Sequence, residues 1–172
     1  TDRSRGLGDV YKRQFSILFY PVITAEKGKG HQGSFNALLG GSRNAESDTW
    51  YSLQNRVTAQ TPPTLLLLSD DDKVVPPVNG ILYYNALKEH GVKASMHIYP
   101  TGGHGWGIRD RFKYKEQWQQ ATLDWLKELN DDRNTASVLL RQPGLPGCVD
   151  VGIRPATSRK SAGRELCLLY TS

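Results

Sequence analysis

Apolar residues gather in three short runs, FSILFYPV (Phe15–Val22), TLLLLS (Thr64–Ser69) and KASMHIYP (Lys93–Pro100). Runs of this length bounded by turn residues predict strands. Leu65–Leu68 are apolar at consecutive positions rather than alternate ones, which predicts a strand covered on both faces, as in a parallel sheet. Between the second and third runs the period changes. Ile81, Tyr84 and Leu87, with Leu82 and Ala86 beside them, form one helical face over Val78–Gly91. Pro76 and Pro77 precede that helix and Gly91 is a natural stop. A second helical stripe follows IRDRFKYKE (Ile108–Glu116), at Trp118, Ala121, Trp125 and Leu129, widened by Leu126. Strand–helix units in succession imply right-handed crossovers and an α/β fold. The strands at Leu65–Leu68 and Ser95–Tyr99 are expected to be parallel neighbours, since one helix suffices for the crossover.

The remainder is less regular. Thr24–Pro63 mixes a glycine-rich connection with helical pieces expected at Ser34–Leu39 and Asp48–Val57, with Ser34 or Asp48 as N-caps. After Asn130 the period stops, and residues 131–166 contain Pro143, Pro146, Pro155 and scattered arginines. That stretch is expected to be a disordered or out-of-frame tail. Both ends carry a further signature. DVYKRQ (Asp9–Gln14) translates GAT-GTG-TAT-AAG-AGA-CAG, and CLLYTS (Cys167–Ser172) translates TGT-CTC-TTA-TAC-ACA-TCT. The two DNA strings are reverse complements apart from the terminal bases, and they resemble the transposon end of sequencing adaptors. The expected organisation is therefore 1–14 adaptor-derived and disordered, 15–130 a partial domain of a longer gene, and 131–172 a tail ending in adaptor-derived residues.

Composition alters this picture little. With 38% hydrophobic and 23% charged residues among 172, the chain has a globular composition, and no apolar run approaches the ~18 residues of a membrane span. The net charge of +5 sits at the ends: residues 15–130 hold twelve basic and eleven acidic groups. A nucleic-acid partner is therefore not supported. Both cysteines, Cys148 and Cys167, lie in the tail, so the central part has no thiol chemistry.

Chemistry enters at the ends of two predicted strands. Asp70-Asp71-Asp72 follows the second run, and the glycine-flanked His104 follows the third. Open α/β sheets place their sites at the carboxyl ends of strands. A carboxylate orienting an imidazole is two-thirds of a hydrolytic triad. Three carboxylates in a turn also suit a hard cation, but Lys73 and the apolar Val74-Val75-Pro76 argue against a metal. Carboxylates in turns also cap backbone N–H groups without further role. The glycines around His104 do not match a phosphate-cradling G-x-G-x-x-G, and a glycine-rich turn can hold an ordinary histidine. His97 reads as a packed or surface residue, His31 and His90 as solvated, and Trp106 as core.

Residues 15–130 resemble the C-terminal part of an α/β-hydrolase, and are most similar to bacterial acetyl-xylan esterase-type esterases. Those share this half with prolyl-oligopeptidase-like peptidases. The motifs that carry the resemblance are SDDDKVVPP (Ser69–Pro77) and YPTGGHGWG (Tyr99–Gly107), with one helix between them. The resemblance implies an incomplete fold, about three parallel strands with flanking helices. It implies Asp72 as the acid, since Lys73 then precedes the Val-Val-Pro step, and His104 as the base. Their contact is expected at about 2.6–3.2 Å through Nδ1. The nucleophile would be a serine in a G-x-S-x-G elbow. The nearest string, Gly40-Gly41-Ser42-Arg43-Asn44, lacks the last glycine and follows no predicted strand, so the serine is expected upstream. A small-molecule or polysaccharide ester substrate is implied, with no cofactor, metal, nucleic acid or membrane, in a secreted or periplasmic setting. A serine exopeptidase of prolyl-oligopeptidase type and a non-catalytic piece are the alternatives.

Overall fold

The structure, a computed structural model, describes residues 15–139 and 168–170. The expectation for residues 1–14 falls outside them. Four parallel strands form one sheet in the order β3-β2-β1-β4, with β1 at Ser16–Phe19, β2 at Thr64–Ser69, β3 at Ala94–Tyr99 and β4 at Leu168–Tyr170. β2 and β3 are in register from Thr64 against Ala94 to Ser69 against Tyr99. The helices are α1 (Gln32–Leu39), α2 (Ala45–Tyr51), α3 (Val78–Glu89) and α4 (Lys115–Leu139).

β2 is buried at every position, and its pleat divides the four leucines between two cores. Leu65 and Leu67 face an aromatic core with Phe19, Tyr99, Trp106, Trp118, Trp125 and Leu129. Leu66 faces the other side, with Val57, Ala86, Leu87 and Val92. A strand covered on both faces cannot alternate polar and apolar residues, which is why four leucines stand in a row. Each contributes about 1.5–3 kcal/mol by leaving water. Among the described strands β3 borders only β2, and it is half-buried along most of its length, so Ser95 and His97 are tolerated there.

Three expectations need correction. The N-caps are His31 for α1 and Asn44 for α2, rather than Ser34 and Asp48. His31 is thus engaged, with Nδ1 paired to the Ser34 hydroxyl at 2.9 Å, and Asn44 and Ser47 form a reciprocal capping box. The second helical piece ends at Tyr51, and Leu53–Arg56 is a 3₁₀ turn. α4 runs past Asn130 to Leu139, because no proline intervenes before Pro143 and a helix does not need a buried stripe to continue. Lys93 fastens that extension to the body through Glu128 (2.9 Å) and Asp132 (2.5 Å). Leu168–Tyr170 is a strand paired with β1, which describes its conformation and leaves the expected adaptor origin of that stretch untouched. A strand edge offers unpaired N–H and C=O groups, and a short β-prone segment satisfies them.

α3 turns Asn79 and Gly80 inward at its first turn and Ala86 and Leu87 further on, while Ile81 of the expected face is only half-buried. The reason is proximity. A Cβ at Gly80 would stand 2.5 Å from Leu68 Cδ1, so only glycine lets the helix lie this close to β2.

Candidate active site

β2 and β3 end side by side, and the chain continues from each into a loop that carries titratable groups. The ladder extends one step into the first loop, where the Asp70 N–H donates to the Tyr99 carbonyl at 2.8 Å. Asp72 then folds under the turn and is 4% exposed. Its Oδ1 accepts the backbone N–H groups of Val74 and Val75, each at 2.9 Å. Its Oδ2 lies 2.8 Å from His104 Nδ1. All three contacts are hydrogen bonds, and an ionised carboxylate only accepts. With the carboxylate ionised and the ring neutral, Nδ1 is the donor in this contact and Nε2 the acceptor. The Val-Val step has a local physical meaning here: it supplies the two amides that fix the carboxylate plane.

The three neighbouring aspartates do three different things. Asp71 Oδ1 accepts the Gly103 N–H at 2.8 Å, clamping the acid turn to the histidine loop. That amide is the main reason the exposed Asp71 carboxyl is held below its usual range. Asp70 is exposed and contributes its backbone. Among the described residues the three carboxylates do not converge, and no cluster of three or more potential metal ligands occurs.

The histidine loop depends on glycine. Gly102, Gly103 and Gly105 have φ of 153°, 60° and 77°. At Gly102 a Cβ would meet Phe112 Cε2 at 2.5 Å and Ser69 Oγ at 2.7 Å. Gly102→Ala is therefore expected to destabilise this chain by about 1–3 kcal/mol in urea unfolding, with the His104 ring resonances displaced. An unshifted midpoint would show that the loop relaxes freely.

A residue that sequence reasoning passed over, Tyr20, closes the other side of the imidazole. Its ring meets His104 edge-on at a centroid distance of 4.5 Å, and it is 3% exposed. It is also the one non-glycine among the described residues with positive φ, at 36°. Such a conformation costs about 1–3 kcal/mol and collects at functional sites. The signal available was a tyrosine before Pro21 at the end of a predicted strand, which alone does not single it out. Trp106 is core, stacked on Phe112 at 4.0 Å. Ser34 is committed to the His31 cap, and Ser42 lies in the 3₁₀ turn Gly40–Ser42 that follows a helix. Neither sits in a strand-to-helix elbow.

Residues 35–132 match the family model described as the prolyl oligopeptidase family. The chain belongs to the prolyl oligopeptidase family. Within that family setting it is 42% identical over 119 residues to an acetylxylan esterase of Xylanibacter ruminicola, covering 67% of this chain and 25% of that protein. It is 38% identical over 89 residues to endo-1,4-beta-xylanase B of Butyrivibrio fibrisolvens, covering 52% of this chain and 14% of that one. Among solved structures it is similar to an acetyl ester-xyloside bifunctional hydrolase from Caldicellulosiruptor lactoaceticus. There the TM-score is 0.64 at 36% identity, covering 68% of this chain and 43% of the other. The chain thus spans a quarter or less of the two curated relatives, and its parallel strands and flanking helices are part of an α/β-hydrolase fold. No described helix is long and apolar enough to cross a membrane.

Proposed function

We propose that this prolyl oligopeptidase family chain is part of a serine hydrolase acting on carboxylic esters, with polysaccharide acetyl esters as the substrate class. Residues 15–130 would be its share of the hydrolase domain. The observation that carries the reading is the 2.8 Å contact between Asp72 Oδ2 and His104 Nδ1, made at adjacent strand ends by a carboxylate already fixed through two amides. In this mechanism a serine supplied by sequence upstream attacks the ester carbonyl. His104 Nε2 takes the serine proton and returns it to the leaving alkoxide. Asp72 holds the tautomer and stabilises the imidazolium that forms between the two transfers. The likenesses to an acetylxylan esterase and to an acetyl ester-xyloside hydrolase support the ester class. The family description favours one other reading, a serine peptidase, in which the same pair would serve amide hydrolysis.

Two measurements separate these readings from inactivity. The 172-residue chain alone is expected to hydrolyse an activated aryl acetate no faster than free imidazole at equal concentration, because no described serine lies in a strand-to-helix elbow. Saturable turnover that a serine-directed inhibitor abolishes would overturn this. Joined to an upstream segment carrying a G-x-S-x-G elbow, the protein should cleave acetylated xylan oligosaccharides in preference to aminoacyl anilides. The opposite preference would favour the peptidase.

A further inference from the structure

A recess of about 290 Å³ opens beside His104, and its wall is cationic. Arg109, Arg111 and Lys113 line it together with Trp106 and Phe112, and among the described residues no carboxylate does. The alternation of the sequence, RDRFK (Arg109–Lys113), explains part of this. The loop turns on hydrogen bonds from Arg109 N–H to the Trp106 carbonyl and from Phe112 N–H to the Arg109 carbonyl, while Phe112 is buried against Trp106. The one acid of the segment, Asp110, is bound to Lys115 and so is not available to neutralise the arginines. Among the described residues neither Arg109 nor Arg111 has an ion-pair partner.

A chain nearly neutral over residues 15–130 has thus placed three cations around the space next to its proposed base. Nothing in ester hydrolysis itself calls for them. A guanidinium fits a carboxylate in bidentate fashion, and further cations around the same space add to the attraction. We propose that this recess binds a carboxylate carried by the substrate, so that the enzyme takes acidic esters such as acetylated saccharides bearing a uronate. This rests on the ester-hydrolase reading for its setting, while the binding itself needs no nucleophile.

Binding can therefore be tested on the 172-residue chain. His104 ring resonances would be followed by NMR during titration with methyl glucuronoside and, separately, methyl glucoside. The glucuronoside is expected to bind at least about fivefold more tightly, with the preference falling as salt is raised from 20 to 300 mM. Arg109→Gln/Arg111→Gln, whose fold is checked by circular dichroism, should lose the preference. If that variant fails to fold, the salt titration of the unaltered chain still decides. Equal binding of the two glycosides, or a preference that salt and the double variant leave intact, overturns the proposal. Glutarate monomethyl ester, titrated in parallel, separates a carboxylate on the acyl side from one on the saccharide: tighter binding than the glucuronoside would overturn the uronate assignment. Failure of the elongated protein to cleave any ester would instead sink the hydrolase reading and leave a measured carboxylate preference standing.

Discussion

Asp72→Asn, introduced into the protein elongated with its nucleophile segment, is expected to lower kcat by about 10⁴-fold while KM changes little. The argument follows from three hydrogen bonds. Asp72 Oδ1 is taken by the Val74 and Val75 amides, which fix the plane of the group, and Oδ2 faces His104 Nδ1. An asparagine in that plane keeps its oxygen on the amides and presents its NH₂ to Nδ1. The imidazole then carries its proton on Nε2, where the serine proton would have to go. Asp71→Asn keeps an oxygen to accept the Gly103 N–H and touches His104 only through its loop, so its expected loss is below about tenfold. Steady-state turnover of an aryl acetate over pH 5–9 distinguishes the two. If Asp71→Asn proves the severe substitution, the proposed roles of the two aspartates are exchanged.

The second large effect lies outside the site. Asn79 is 1% exposed, and its amide is used in full. Its Oδ1 accepts the N–H groups of Ile23 and Thr24 at 3.0 and 3.1 Å, and its Nδ2 donates to the carbonyls of Lys29 and Pro76 at 2.7 and 3.0 Å. One side chain thereby ties the segment leaving β1 to the start of α3, just beyond the acid turn. Asn79→Ala would leave the Ile23 and Thr24 N–H groups and the Lys29 carbonyl without that partner, while the Pro76 carbonyl keeps the backbone N–H of residue 79, and is expected to cost about 3–5 kcal/mol. Urea unfolding of the 172-residue chain reads this as a midpoint shift of about 1.5–3 M. Asn79→Asp retains the Oδ1 acceptor and removes both donations, so its shift should be nearly as large. A loss under about 1 kcal/mol for the alanine variant would mean that water takes over the lost bonds.

Sequence patterns made the sheet and the Asp72–His104 contact legible for different reasons. Leu65–Leu68 announced a doubly covered strand because burial on both faces is a property of each residue in turn. Asp72 and His104 stood out because each follows an apolar run directly, so strand direction alone sets where they emerge. What was not legible depends on pairings between distant segments. Asn79 reads as an ordinary helix residue until Ile23 and Lys29 are brought to it. Tyr20 acquires its relation to His104 only when β1 is placed beside β2. The caps His31 and Asn44 were displaced from the expected Ser34 and Asp48 by a few residues, as short helices with several polar candidates allow. Through Asp132, the first turn of α4 beyond Asn130 meets Lys93, a residue of the turn before β3 that no helical period could have named.

Asp72, His104, the Val74 and Val75 amides and the Asp71 clamp all lie between Thr64 and Gly107, within one strand–helix–strand crossover and its closing loop. That has a consequence for the order of assembly. The free-energy cost of closing a loop rises with the logarithm of its length, by about 0.6 kcal/mol per doubling, so this crossover is among the least costly long-range closures available to the chain. The Asp72–His104 contact can thus be assembled within this crossover, whatever the order in which the rest of the chain folds. Recombination that carried this crossover alone into another sheet would carry the contact and its supporting amides with it.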